Sequence, residues 1–132
     1  MLSYFKNNIN NNNCAEKYEY IIKFKKQKLE ERIQISDKIK LKYKNRIPII
    51  VDSDKDIKLD KNKYIVPDNL NIGQFIYILK KRISIKAEQS IFLLCNNILV
   101  SNTELIRNLY NKNKEYDGFL YIIIALENTF GN

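Results

Sequence analysis

The most informative run of the sequence is Phe119-Leu120-Tyr121-Ile122-Ile123-Ile124-Ala125-Leu126. Its residues are apolar and lack the alternation that marks a strand with one face in water. Strands buried on both faces read in this way, so we expect this segment to lie at the centre of a sheet. Asp117-Gly118, directly before it, predicts a turn.

Four further strands are predicted upstream of this segment. The run 46–51 is rich in β-branched residues, and Pro48, which has no N–H to donate, suggests an exposed or irregular start. A second strand at 63–67 follows a charged connection, so the two strands predict a hairpin. The runs 90–95 and 98–100 predict a third strand and a short fourth strand.

Helical spacing is found in three parts of the chain. Residues 15–44 contain neither Gly nor Pro and predict a helix in two pieces. Asn71 is placed to cap a second helix, and Ser101 with Glu104 matches a capping box before a third. The residues after Asn71 have the period of a buried helix face: Ile72, Phe75, Ile76, Leu79 and Ile83.

The order of these elements predicts the fold class and the domain organisation. One long helix packs on one face of a mixed sheet whose last strand is the most buried, which is the α+β class. We predict a ubiquitin-like β-grasp with two extra N-terminal helices, in a domain at 24–131 whose helical subdomain is 24–45. Residues 1–23 contain an Asn-rich run at 7–13 and are expected to be a largely disordered extension. We expect their removal to leave folding intact.

Composition narrows the functions that the chain can have. It has 132 residues, 23 Lys and Arg against 15 Asp and Glu, and no His. The absence of His excludes an imidazole base, and two Cys cannot form a zinc cluster. Three Gly leave no nucleotide-binding loop, and no apolar run is long enough to predict a transmembrane helix. The net charge of +8 favours acidic partners, and residues 1–45 carry 11 basic and 5 acidic side chains.

Several short segments of the chain resemble, in the same order, the autophagy-related protein eight family. This family includes the microtubule-associated light-chain-three and GABA-receptor-associated protein branches. The resemblance covers about residues 24–131, and several such segments in register are far more specific than any one of them. The matching segments are 44–48, 60–67, 73–75, 81–83, 117–121 and 127–131.

The resemblance implies a modifier that has no catalytic or metal-binding residues of its own. A cysteine protease would cut after Phe130-Gly131, before Asn132. Activating and conjugating enzymes would carry Gly131 as a thioester, and the amine of phosphatidylethanolamine would be the final acceptor. No cofactor is implied other than this covalent lipid, which would hold the domain on a membrane. The expected location is cytoplasmic, and the autophagosome membrane once lipidated.

The resemblance also implies a docking site for short aromatic-x-x-aliphatic peptides of cargo receptors and adaptors, at the edge of the strand 63–66. A peptide can add there as a further strand. The aromatic side chain would enter a pocket formed by Ile39, Pro48, Ile50, Lys63, Ile65 and Phe119. The aliphatic side chain would enter a pocket formed by Tyr64, Val66, Pro67, Leu70, Phe75 and Ile78. Cations would meet the acids of the peptide: Arg46, Lys61 and Arg82.

Departures from the family pattern leave peptide selectivity and alternative functions open. Ile35 stands where the aromatic pocket often carries an acidic residue, and the connection 52–60 is shorter than usual. One alternative is a β-grasp interaction module that docks partners without being conjugated. Another is a nucleic-acid binder, but the basic excess lies in residues 1–45 and no recognition motif is present, so no nucleic-acid partner is expected.

Overall fold

The computed structural model describes residues 18–86 and 88–127. Two helices come first, and strands then alternate with two further helices. In chain order the elements are α1 (Glu19–Lys25), α2 (Leu29–Lys42), β1 (Arg46–Ser53), β2 (Lys58–Leu59), β3 (Lys63–Pro67), α3 (Ile72–Lys80), β4 (Ile83–Ser84), β5 (Ile91–Cys95), β6 (Ile98–Leu99), α4 (Ile106–Asn113) and β7 (Leu120–Leu126).

The main sheet has the strand order β3-β1-β7-β5-β6, with β7 in the middle as its unbroken apolar run predicts. β1 pairs antiparallel with β3, which confirms the predicted hairpin, and parallel with β7. β5 pairs antiparallel with both β7 and β6. The sheet is therefore mixed, and the predicted α+β β-grasp with N-terminal helices is confirmed.

The two faces of the sheet bury different elements. The inner face packs on α3 in the main core, where Ile49, Leu120 and Ile122 meet Phe75 and Leu79. The outer face packs on the N-terminal helices in a smaller cluster formed by Phe24, Ile50, Phe119 and Tyr121. We call this smaller set the outer cluster. Because side chains alternate along a strand, β1 and β7 contribute to both cores at once.

The first turn of α3 carries the cap that its sequence predicts. The Asn71 side chain accepts a hydrogen bond from the Gln74 backbone N–H, and the Gln74 side chain accepts one from the Asn71 backbone N–H. The predicted capping box at Ser101 and Glu104 is wrong. The hydroxyl oxygen of Ser101 lies 3.0 Å from that of Thr103, and α4 starts only after Leu105.

Pro48 does not mark the exposed start that we predicted for the first strand. It is buried inside β1, opposite Ile65 of β3. The Val51 N–H donates to the Asn62 carbonyl next to β3, so by alternation the N of Pro48 faces the β7 side. Pairing with β7 starts one residue later, at Ile49. The missing N–H of Pro48 therefore costs the sheet no hydrogen bond.

A second, two-stranded sheet was not predicted. β2 pairs with β4 in the register Lys58↔Ser84 and Leu59↔Ile83. Two residues per strand are too few to show a period in the sequence, so no pattern marks them. Ile83 extends the α3 stripe in the sequence, but it lies in this small sheet and packs half-buried against the main core.

The helical part of the domain begins before the predicted boundary at residue 24. α1 starts at Glu19, and Tyr20 and Ile21 pack against the outer cluster. Residues 19–23 therefore belong to the packed domain, while the predicted disorder of residues 1–17 lies outside the described residues. Within the described ranges, the helices lack the length and apolar character that crossing a membrane requires.

Candidate peptide-docking edge

β3 is an edge strand, and half of its backbone polar groups face away from the sheet. The Val51 N–H donates to the Asn62 backbone carbonyl at 2.8 Å, and the Asn62 side-chain amide donates to the Val51 carbonyl at 2.8 Å. Hydrogen-bonded pairs alternate along an antiparallel ladder, so Tyr64 and Val66 bond to β1. The N–H and C=O groups of Lys63 and Ile65 therefore point to the open side of β3, where a further strand can pair.

The residues predicted for the aromatic pocket lie together on the outer face. In the ladder, Ile50 is opposite Lys63, and Pro48 is opposite Ile65. Ile50 and Phe119 are 0% and 1% exposed, so they form the floor of any pocket there rather than its walls. Ile39 packs half-buried on the outer cluster from α2, and Ile65 of β3 is also half-buried.

Two aromatic residues of this region were not among the predicted site residues. The Phe24 ring meets the Phe119 ring edge-on, with centroids 5.2 Å apart, and the Lys63 Nζ lies 5.3 Å from the Phe24 centroid. Tyr121 of β7 completes the outer cluster. Tyr20 and Phe24 are four residues apart on α1. This helical spacing of two aromatic residues is the signal in the sequence that could have identified Phe24.

The residues predicted for the aliphatic pocket lie on the opposite face of β3, except Pro67, which is opposite Arg46 in the ladder and therefore lies on the outer face. Tyr64, Val66 and Phe75 are buried in the main core, where the Tyr64 and Phe75 rings meet edge-on at 5.8 Å. Leu70 packs half-buried against that core, and three of the set are half-buried near the surface: Pro67, Leu70 and Ile78. The two predicted pockets are thus separated by β3 itself.

The Tyr64 hydroxyl has an unusual environment. Among the described residues it is the buried side-chain polar atom without a hydrogen-bond partner. Burial raises the pKa of Tyr64, and the charge of Asp60 acts in the same direction, so the hydroxyl stays protonated at neutral pH.

The three predicted cations have different partners in the structure. The Arg46 Nη1 donates to the Ile65 carbonyl at 3.2 Å, and the Lys61 Nζ lies 5.0 Å from the Tyr64 ring centroid. Arg82 is 3.8 Å from a carboxylate oxygen of Asp60, and both side chains are exposed. All three therefore lie near β3 or the connection before it, although they do not form one cluster.

Ile35, which stands where an acidic residue was expected, packs half-buried against the outer cluster from α2. It adds apolar surface beside Ile39 on the same helix, in place of a charge. The residues predicted for conjugation and cleavage, Phe130, Gly131 and Asn132, lie outside the described residues. β7 leads towards them and ends at Leu126, after which the Glu127 N–H donates to the Ser90 carbonyl at 2.8 Å.

Comparisons with known proteins agree with this architecture. The family model described as "Autophagy protein Atg8 ubiquitin like" matches residues 31–131. Autophagy-related protein 8A of rice is 45% identical over 107 residues, which are 79% of this chain and 90% of that protein. Autophagy-related protein 8 of Kluyveromyces lactis is 42% identical over 106 residues, which are 78% of this chain and 86% of that protein.

Two solved structures share the fold as well as the sequence pattern. Trypanosoma brucei ATG8 superposes with a TM-score of 0.73 at 34% identity, over 80% of this chain and 93% of that one. Plasmodium falciparum Atg8, solved with an Atg3 peptide from the same organism, gives 0.67 at 29% identity over 76% and 91%. The chain belongs to the Atg8 family of ubiquitin-like autophagy proteins.

Proposed function

We propose that this chain is a ubiquitin-like modifier that docks aromatic-x-x-aliphatic peptides along β3 and is conjugated through Gly131 to phosphatidylethanolamine. It would act in autophagosome formation and in the recruitment of cargo receptors and adaptors. It would be cytoplasmic before conjugation and on autophagosomal membranes afterwards. The chain would supply the acyl group and the docking surface, and partner enzymes would supply the catalytic groups.

The observation that carries the docking proposal is that β3 is a free edge strand with buried apolar residues of both predicted sets on its opposite faces. Successive side chains of a strand point to opposite faces, so residues three apart do so too. A peptide added along β3 would direct its aromatic residue to the outer face, near Ile50 and Phe119. Its aliphatic residue would reach the inner face, near Leu70 and Ile78. The spacing of the motif therefore matches the geometry of the edge.

The peptide-binding proposal can be tested by spacing alone. We expect a synthetic aromatic-x-x-aliphatic peptide to bind at least about ten-fold more tightly than the same residues arranged as aromatic-x-aliphatic, because the shorter spacing puts both anchors on one face. Fluorescence anisotropy with the full chain would measure both affinities. Equal affinities for the two spacings would contradict docking along the edge.

A matched pair of variants tests whether the peptide binds along β3. Ile65→Asp puts a charge on the half-buried outer face of the edge and should weaken binding about ten-fold or more, because desolvating an unpaired charge is costly. Leu99→Asp changes an exposed residue of β6, at the other edge of the same sheet, and should leave the affinity unchanged. If Leu99→Asp had the larger effect, the peptide would bind at the wrong edge.

The conjugation proposal rests on the sequence Phe130-Gly131-Asn132 and on membership of the family. A processing protease would hydrolyse the Gly131–Asn132 peptide bond. A nucleoside triphosphate would convert the freed carboxylate to a mixed acyl-phosphate anhydride and release pyrophosphate. The cysteine thiolate of an activating enzyme would then displace the nucleotide to form the thioester, which is passed to the cysteine of a conjugating enzyme. The lipid amine would then attack the thioester carbonyl. An amide would form, and the enzyme thiol would leave.

Intact-mass measurement on protein recovered from fed and starved cells tests this step. We expect loss of Asn132 and a mass increase of one phosphatidylethanolamine, and Gly131→Ala should abolish the lipid adduct. A mass that retains Asn132 and carries no lipid in either state would contradict conjugation. The chain would then be an unconjugated interaction module, and the spacing experiment would still decide whether it docks peptides.

A further inference from the structure

One of the backbone groups on the open side of β3 is already in use. The Ile65 carbonyl faces away from β1, and the Arg46 guanidinium donates to it at 3.2 Å. A peptide that adds as a strand needs that carbonyl as an acceptor for its own N–H. In the peptide-free protein, the cation of Arg46 therefore lies where the peptide backbone has to pair.

The position of Arg46 on β1 explains how it reaches the open edge. It is opposite Pro67 in the ladder, two residues along β3 from Ile65. It has the same parity on β1 as Pro48 and Ile50, so its side chain starts from the outer face. Its long side chain then crosses β3 to the carbonyl on the far side. The guanidinium stays exposed to solvent, so it can leave this position without uncovering the core.

We propose that Arg46 is a specificity-determining cap on the docking edge, which closes the edge against uncharged peptides and opens it for acidic ones. This inference rests on the proposed docking of peptides along β3. A peptide without acids has to compete with the guanidinium for the Ile65 carbonyl and gains no new partner for it. A peptide with a carboxylate beside its anchors offers the guanidinium a stronger, charge-assisted partner, so Arg46 changes partners as the strand adds.

A cap and a simple attraction between Arg46 and the acids of the peptide predict different effects of Arg46→Ala on the affinity for uncharged peptides. If Arg46 only attracts acids, Arg46→Ala weakens acidic peptides and leaves uncharged ones unchanged. If Arg46 also caps the edge, the same substitution strengthens the binding of uncharged peptides. From the usual net value of one hydrogen bond, we expect a gain of about two- to ten-fold for the uncharged peptide and a loss of similar size for the acidic one.

The experiment uses the full chain and two synthetic peptides with the same aromatic-x-x-aliphatic anchors, one flanked by Glu and the other by Gln. Isothermal titration calorimetry of each peptide with wild type and with Arg46→Ala gives four affinities. Lys61→Ala is the matched control, because its ammonium lies over the Tyr64 ring and not on the edge carbonyl. We expect the control to weaken only the Glu-flanked peptide. Unchanged affinity of Arg46→Ala for the Gln-flanked peptide would overturn the cap.

A measurement without peptide separates this inference from the docking proposal. In the free protein, Arg46→Ala removes the hydrogen bond to Ile65 and should shift the carbonyl ¹³C resonance of Ile65. Lys61→Ala should leave this resonance unchanged. If neither peptide binds wild type but the Ile65 resonance moves, the docking proposal fails and the intramolecular contact stands. If the resonance is the same in wild type and Arg46→Ala, the cap is wrong whatever the peptides do.

Discussion

At the level of single residues, Asp117, in the turn before β7, holds several elements of the fold together. Its carboxylate accepts hydrogen bonds from the Arg32 guanidinium at 2.8 Å, from the Phe119 N–H at 2.9 Å and from the Tyr121 hydroxyl. Its backbone carbonyl accepts from the buried Ser36 hydroxyl. The turn predicted from Asp117-Gly118 thus ties α2 to the outer cluster, a role that the sequence pattern did not reveal.

Asp117→Ala should destabilise the fold by about 3–5 kcal/mol, because it leaves the half-buried Arg32 cation, the buried Tyr121 hydroxyl and the Phe119 N–H without their shared acceptor. Glu115→Ala is the matched control in the same loop. It removes the 2.9 Å ion pair between Glu115 and Lys25. Because both side chains of this pair are more than one-third exposed, the free energy of unfolding should fall by less than about 1 kcal/mol. Urea unfolding of the two variants decides the matter. A loss for Asp117→Ala no larger than for Glu115→Ala would contradict the buried role.

Asp52 makes the stability of the fold depend on pH, and the direction of this dependence follows from its buried environment. Burial raises the pKa of this carboxyl group, although the backbone N–H groups of Ile21 and Ser53 donate to it and act in the opposite direction. The raised pKa means that the folded state prefers the protonated form. Its stabilising contribution is full below the unfolded pKa of about 4 and is lost as the pH rises through the folded pKa.

Asp52→Asn keeps an oxygen that can accept from the Ile21 N–H and removes the charge. We therefore expect the stability of the variant, relative to wild type, to be higher at pH 7 than at pH 4. Urea unfolding at the two pH values measures the difference. A variant that lost stability relative to wild type on going from pH 4 to pH 7 would show that the ionised carboxylate is favoured by the fold.

At the level of elements, α1 closes the outer face of the sheet. Phe24 is 3% exposed and contacts the Phe119 ring. The Ile21 N–H donates a hydrogen bond to the carboxylate of Asp52 in β1. The expectation that removing residues 1–23 leaves folding intact stays a prediction, but the contacts of Tyr20 and Ile21 lead us to expect that the loss of residues 19–23 lowers stability. The predicted boundary at residue 24 divides α1, although residues 19–23 lie within the segment 15–44 that predicts a helix.

A chain beginning at Tyr18 and a chain beginning at Gln27 separate these two parts of the N-terminal region. The first keeps α1 and should melt within a few degrees of the full chain. The second exposes Ile50, Phe119 and Tyr121 and loses the buried Phe24, which alone is worth about 3–5 kcal/mol. Thermal unfolding followed by circular dichroism compares them. Equal melting temperatures for the two chains would mean that α1 contributes nothing to the domain.

The two predicted helix caps had opposite outcomes, and they make a matched pair. Asn71→Ala removes the side chain that accepts from the Gln74 N–H and should cost about 1 kcal/mol. Ser101→Ala changes a residue that caps no helix and should stay within about 0.5 kcal/mol of wild type. Chemical denaturation is sufficient to tell them apart. Equal losses would mean that the Asn71 cap adds no stability beyond that of an ordinary loop contact.

At the level of the whole molecule, the strand order and the free edge follow from features that the sequence makes visible. The apolar run of β7 predicts its central place, and the hairpin of β1 and β3 leaves β3 outside. The contact between Arg46 and the Ile65 carbonyl, the hub at Asp117 and the pairing of β2 with β4 were not predictable. Each depends on residues far apart in the chain, and no local periodicity encodes such contacts.

The ladder of β3 predicts an alternating pattern of amide exchange. The N–H groups of Tyr64 and Val66 bond to β1 and should exchange slowly, whereas those of Lys63 and Ile65 face solvent and should exchange quickly. Adding an aromatic-x-x-aliphatic peptide should slow Lys63 and Ile65. Hydrogen exchange followed by NMR resolves the four amides. If saturating peptide added no protection to Lys63 and Ile65, strand addition at β3 would be excluded.

The side-by-side position of β1 and β7 also governs when the protein can fold during its synthesis. These are the first and last strands of the main sheet, yet they pair in parallel at its centre. A nascent chain that has reached α4 has its hairpin and α3, but one whole side of β1 is still unpaired. The sheet is completed only after β7 leaves the ribosome, so folding is a late event that depends on contacts between distant parts of the chain.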